Sequence, residues 1–207
     1  MILIETITIF LLASVALAIA PGPDNIFVLT QSVLYGRKPG LVVTLGLCSG
    51  LLVHTAIVSL GVAAIFQTSA IAFNTLKIIG AIYLLYLAWK AFRASVVKLD
   101  QKEVKLDWQK LYFRGIIMSV TNPKLAIFFL AFLPQFVDSS IGSVTIQLII
   151  FGSLFIVVTL TIFSTVAVFA GFLGEWLKGS GKAQIIINRV AGTVFTGLAV
   201  RLAIIDH

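Results

Sequence analysis

Residues 20–27 read Ala20-Pro21-Gly22-Pro23-Asp24-Asn25-Ile26-Phe27, and residues 121–128 read Thr121-Asn122-Pro123-Lys124-Leu125-Ala126-Ile127-Phe128. Each is a proline-centred polar interruption followed by an apolar run, and the two lie about 100 residues apart. A proline inside a helix removes an amide donor, and its ring clashes with the carbonyl four residues earlier. Pro21 and Pro23 do this twice, with the permissive Gly22 between them, so the first apolar segment is expected to break there. Inside a bilayer each unsatisfied backbone group costs several kcal/mol, so the freed groups must face protein or a water-filled cavity.

That the bilayer is the solvent follows from composition. Of 207 residues, 59% are hydrophobic and 11% charged, whereas a soluble domain carries roughly 25% charged residues. Mean hydropathy is +1.10. The apolar runs are continuous rather than alternating, which excludes an outer-membrane barrel and predicts a polytopic helical protein. The lone Cys48 allows no internal disulfide and offers no zinc-site spacing. Residues 1–20 contain no Lys or Arg, and Glu5 is their only charge. A cleaved leader is therefore not expected, although Ala18-Ile19-Ala20 resembles a cleavage site.

A span needs about 20 predominantly apolar residues. Helices are expected near 4–34 (broken), 41–65, 71–93, 113–136, 144–173 and 184–205. The first and fifth exceed the bilayer thickness and must tilt, bend or protrude. Of the 15 basic residues, 12 fall in alternate connections: Arg37 and Lys38; Lys90, Arg93, Lys98, Lys102, Lys105, Lys110 and Arg114; Lys178, Lys182 and Arg189. The positive-inside rule makes those loops cytoplasmic and puts both termini outside. The +7 net charge therefore belongs to loops and does not call for nucleic acid. Leu99 to Lys110 reads either as a surface-lying amphipathic segment or as a solvated linker.

The middle loop divides the chain into residues 1–97, a linker at 98–111, and residues 112–207, with three expected spans in each half. Lys77-Ile78-Ile79-Gly80 followed by Tyr83 matches Arg189-Val190-Ala191-Gly192 followed by Phe195. Because three is odd, the second half crosses in the opposite sense. The expected fold is all-α integral membrane, with two inverted three-helix repeats and broken first and fourth helices, the plan of many secondary transporters.

Asp24 lies 13 residues before Arg37, and Lys124 lies 10 after Arg114. At about 1.5 Å per residue, both breaks fall roughly 15–20 Å from the cytoplasmic side, where discontinuous helices form substrate sites. The amides of Asn25 and Ile26, or of Leu125 and Ala126, would turn positive dipole ends toward a carboxylate. Lys124 adds a full positive charge. Asp24 suits an ammonium group or a coupling proton, and Asn122 reads as a cap or a ligand contact. The expected substrate-binding residues are Pro21, Gly22, Pro23, Asp24, Asn25, Asn122, Pro123 and Lys124. Because histidine titrates near neutral pH, His54 reads as a second proton carrier or as a hydrogen-bonded core histidine. Gly46 and Gly50 form a small-xxx-small pair for close helix packing, and Gly80 and Gly192 are assigned the same role.

The chain resembles the LysE/RhtB family of bacterial amino-acid exporters over essentially its whole length. The resemblance rests on Pro21-Gly22-Pro23-Asp24, on Gly46 and Gly50, on Thr121-Asn122-Pro123-Lys124, and on Gly80 with Tyr83. It implies an inner-membrane carrier that exports amino acids or close derivatives, driven by the proton motive force and needing no cofactor or metal. Its partners would be the amino acid, protons and the lipid bilayer, and a homodimer is compatible with it. The scarcity of acids beyond Asp24 favours a small neutral substrate, handled by rocking one half against the other. A channel would want rings of filter residues. A membrane-embedded enzyme would want a nucleophile–base pair, a carboxylate pair or metal ligands within the spans. No motif for either is present.

Overall fold

The computed structural model describes residues 4–20, 22–68, 70–93 and 107–170, together with short helical pieces between 185 and 200. Pro21, most of the 98–111 linker and most of the expected sixth span lie outside the described residues. Among the described residues every element is helical. Helix α1 is Ile4–Ile19, α2 Pro23–Tyr35, α3 Arg37–Thr68, α4 Ala70–Phe92 and α5 Trp108–Val120. After the second break, α6 (Pro123–Ile127) widens into a π-helical turn, Phe128–Phe132, and tightens into a 3₁₀ turn, Leu133–Phe136. Helix α7 is Val144–Val168.

Two stretches, Arg37–Gly61 and Val144–Val168, are long and apolar enough to cross a bilayer alone. Two more spans arise if each bent pair counts as one: α1 with α2 at 59°, and α5 with Pro123–Phe136 at 47°. The described residues thus hold two to four candidate spans. Both expected breaks are present. The boundaries differ at α3, which starts at Arg37 rather than 41. Gly36 ends α2 at φ 91°, a left-handed conformation open to glycine, and lets the next helix begin at once. Pro39 then sits in the first turn of α3, where its missing amide costs nothing.

Helix α3 is the central post and packs along α5, α7 and α2. Its seam with α5 is built from glycine, Gly46 and Gly50 on α3 facing Gly115 and its neighbours on α5. A Cβ on Gly46 would strike the Tyr112 carbonyl, and one on Gly50 would come within 2.5 Å of the Ser119 Cβ. From the other side, Gly115 lies against the Val43 carbonyl and the Gly46 Cα. Gly192 packs on the Phe92 ring of α4, 2.8 Å from its would-be Cβ. Gly80 lies on α4, and its surroundings fall outside the described residues.

Two apolar clusters fill the interior. The larger is aromatic: Phe10 packs on Phe136 and Phe151 at 5.1 and 4.8 Å between centroids, and Phe128 packs on Phe132 and Phe155 at 5.0 Å. The smaller joins Val28, Val43, Leu47, Phe163 and Ala167. Along α7, Phe155 belongs to the first and Phe163 to the second. The polar centre lies between them.

The loop before α7 is tied by Gln147, whose side chain accepts from the Asp138 amide at 3.1 Å and donates to its carbonyl at 2.8 Å. Hydrogen bonds from Ser140 hold the Asp138 carboxyl below the usual aspartate value.

Candidate functional site

The breaks meet. Lys124 Nζ lies 3.2 Å from Asp24 Oδ1, and the residues are 4% and 2% exposed. The same ammonium donates to the carbonyls of Leu17 and Ala20, each at 3.3 Å, and to Asn25 Oδ1 at 3.4 Å.

The prolines explain those partners. In an unbroken helix Leu17 O would accept from residue 21, and Pro21 has no amide to give. The last carbonyls of α1 are thus left over, and they carry the negative end of its dipole. Lys124 reaches across from the other break to take Leu17 and Ala20, while the Asn25 side-chain amide donates to Ala18 O. Gly22 makes the approach possible, since a Cβ there would lie 2.6 Å from Asp24 Oδ1 and 3.0 Å from Lys124 Nζ. Asp24 stands in the first turn of α2, where the helix dipole favours a negative charge.

The second break satisfies itself. Asn122 caps α6: its Oδ1 accepts from the Lys124 amide at 3.0 Å, and its carbonyl accepts from Leu125 and Ala126. Pro123 likewise withholds an amide from Ser119 O. That carbonyl accepts instead from the Asn122 amide at 3.1 Å and from His54 Nε2 at 3.0 Å. A carbonyl can only accept, so Nε2 carries the proton in this arrangement.

These contacts correct one expectation. The amides of Ile26, Leu125 and Ala126 are not free to face a carboxylate, because Gly22 O and Asn122 O already accept from them. Among the described side chains, the buried donor at the breaks without a partner is Asn122 Nδ2. The other expected residues, Gly22, Pro23, Asp24, Asn25, Asn122, Pro123 and Lys124, converge on the junction. Pro21 lies outside the described residues, and His54 engages the Ser119 backbone.

Beside Asp24 is a small cavity of about 10 Å³, room for about one water. Its walls include Leu47, Leu51, Phe155 and Phe163, with the polar Ser119 and Thr159. Sequence reasoning passed over both hydroxyl residues, since a serine or threonine inside an apolar helix usually bonds back to its own backbone. No group of three or more metal-ligating side chains occurs among the described residues. A buried ion pair capping a broken helix is a charge centre able to exchange partners with a charged ligand.

Residues 15–205 match the model of the LysE type translocator family, and the chain belongs to that family. The leucine efflux protein of Salmonella typhimurium is 28% identical over 196 residues, covering 94% of this chain and 92% of its own. The Bacillus subtilis protein named uncharacterized membrane protein YrhP is 29% identical over 195 residues, covering 89% of this chain and 92% of its own. No solved structure matches.

Proposed function

We propose that this LysE type translocator is a secondary transporter of the bacterial inner membrane, exporting small neutral amino acids from the cytoplasm in exchange for protons. The observation that carries this reading is the buried Lys124–Asp24 pair, 3.2 Å apart at the junction of two broken helices. Opposite charges at that separation suit the two ends of a zwitterion. Lys124, joined by the unpaired Nδ2 of Asn122, would take the carboxylate, and Asp24 the ammonium. Pro21, Gly22, Pro23, Asn25 and Pro123 shape the break that presents them. The relatives named leucine efflux proteins support amino-acid export, and the shortage of further acids in the spans supports a neutral side chain.

The cavity of about 10 Å³ is far smaller than an amino acid, so this arrangement is a closed one, and the pair must part to admit a ligand. Alternating access around the pair follows, with Asp24 releasing its ligand and carrying the returning proton. We read the chain as six spans in two inverted repeats, with the basic loops cytoplasmic and both termini outside.

The test is efflux of radiolabelled neutral amino acids from proteoliposomes. Saturable efflux that an imposed proton gradient accelerates supports the carrier. Asp24→Asn should abolish the acceleration, and variant efflux that still responds fully would remove Asp24 from the coupling step. Flux that never saturates would indicate a channel, and chemically altered product an enzyme.

A further inference from the structure

Buried hydroxyls in this protein return to their own helix. Ser14, Ser32, Thr44 and Thr55 each donate to the carbonyl four residues earlier, at 2.7–2.9 Å. On α7, the exposed Thr161 and Thr165 do the same at 2.8 Å. Ser119 on α5 and Thr159 on α7 depart from the pattern. Their hydroxyl oxygens are buried without a hydrogen-bond partner, and the residues are 0% and 4% exposed. Both residues line the cavity that Asp24 lines. Leaving a buried hydroxyl unpaired is unfavourable, and a ligand with matching polar atoms would remove that cost.

The identity of those atoms follows from what surrounds them. An apolar ligand group would leave both hydroxyls unpaired, and a carboxylate would meet the charge of Asp24. An alkylammonium head is close to water in size and carries three N–H donors. Asp24, Ser119 and Thr159 offer three oxygen acceptors around a cavity of about 10 Å³. We infer that this cavity is the α-ammonium subsite of the transported amino acid. Ser119 Oγ and Thr159 Oγ1 accept two of its N–H donors, and Asp24 accepts the third in exchange for Lys124. The rest of the ligand lies outside this one-water volume, in the space opened when the Lys124–Asp24 pair parts. The inference rests on the export reading and adds two specificity-determining residues to it, from α5 and α7.

The test is counterflow of radiolabelled L-leucine in proteoliposomes, competed by unlabelled leucine and by 2-hydroxy-4-methylpentanoate, which replaces the ammonium with a hydroxyl. Sites built around a hydrogen-bonding ligand group reject analogues that lack it, so wild type should prefer the amino competitor by at least about 100-fold. Thr159→Val and Ser119→Ala should each cut that preference about tenfold, the scale of one hydrogen bond to a charged group. Thr159→Ser, which keeps the hydroxyl, should restore it. Melting temperatures near wild type separate these effects from misfolding, and if Thr159→Val does not fold, Ser119→Ala and Thr159→Ser carry the test. An unchanged amino-to-hydroxy preference in the hydroxyl-deleted variants overturns the subsite and leaves export standing. Wild-type protein with no saturable leucine counterflow would bring down the leucine-type substrate reading, and the subsite with it.

Discussion

The two breaks look alike in sequence and behave differently in space. The second is closed largely by its own residues: Asn122 caps the helix after it, and the Asn122 amide, joined by His54 from α3, covers the carbonyl that Pro123 leaves free. The first relies on side chains throughout. The carbonyls at the end of α1 are covered by side chains, two of them by Lys124 from the other half of the chain. One break is therefore capped mostly from within, and the other is completed by a cation from outside it. The matched motifs differ in role: the second supplies the ammonium and the first its acceptors.

The largest effect is expected at the residue that joins them. Lys124→Met keeps length and bulk but leaves Asp24 and two α1 carbonyls buried without their cation. Breaking a buried pair from one side costs about 3–5 kcal/mol. The variant should lose transport and melt well below wild type in detergent, and a melting temperature within a few degrees of wild type would show that the first break can satisfy itself after all. A smaller effect is expected within the second break. Asn122→Ala removes the cap from α6 at about 1 kcal/mol. It should lower the melting temperature modestly, and a loss as large as that of Lys124→Met would mean that the second joint is not self-sufficient.

The smallest effect belongs to an exposed cap away from both breaks. Asp107 caps α5, and its carboxyl is held below the usual aspartate value by the Lys110 amide and then by the Lys110 side chain. Its contribution is therefore complete above the ordinary aspartate pKa and drains away as pH falls through the depressed range. Hydrogen-exchange protection at the start of α5, taken relative to the intrinsic exchange rate at each pH, should fall as the solution is acidified through and below the ordinary aspartate range. Asp107→Ala should show low protection throughout, with no such step.

The breaks, the glycine seam and the two intramembrane charges, Asp24 and Lys124, were legible because proline, glycine and intramembrane charge each have a strong local consequence. Counting four residues back from Pro21 and Pro123 names Leu17 and Ser119 as orphaned carbonyls, which are those that Lys124 and His54 cover. The helical start at Arg37 was obscured because a basic pair beside a proline reads as a loop. The π turn at Phe128–Phe132 has no local signature in a run of phenylalanines, and it arises where the aromatic cluster packs. Ser119 and Thr159 could not be told apart from hydroxyls that bond to their own helix, because the difference lies in which faces meet across α3, α5 and α7.

The glycine seam also bears on how such a protein would move. Gly46 and Gly50 on α3 touch Tyr112, Gly115 and Ser119 on α5 so closely that no methyl group fits between, yet α3 and α5 come from opposite sides of the central linker. A joint with no slack resists hinging, so these two helices would travel as one body. Rocking one half of the sequence against the other would have to break that seam, whereas movement of the elements around it would not.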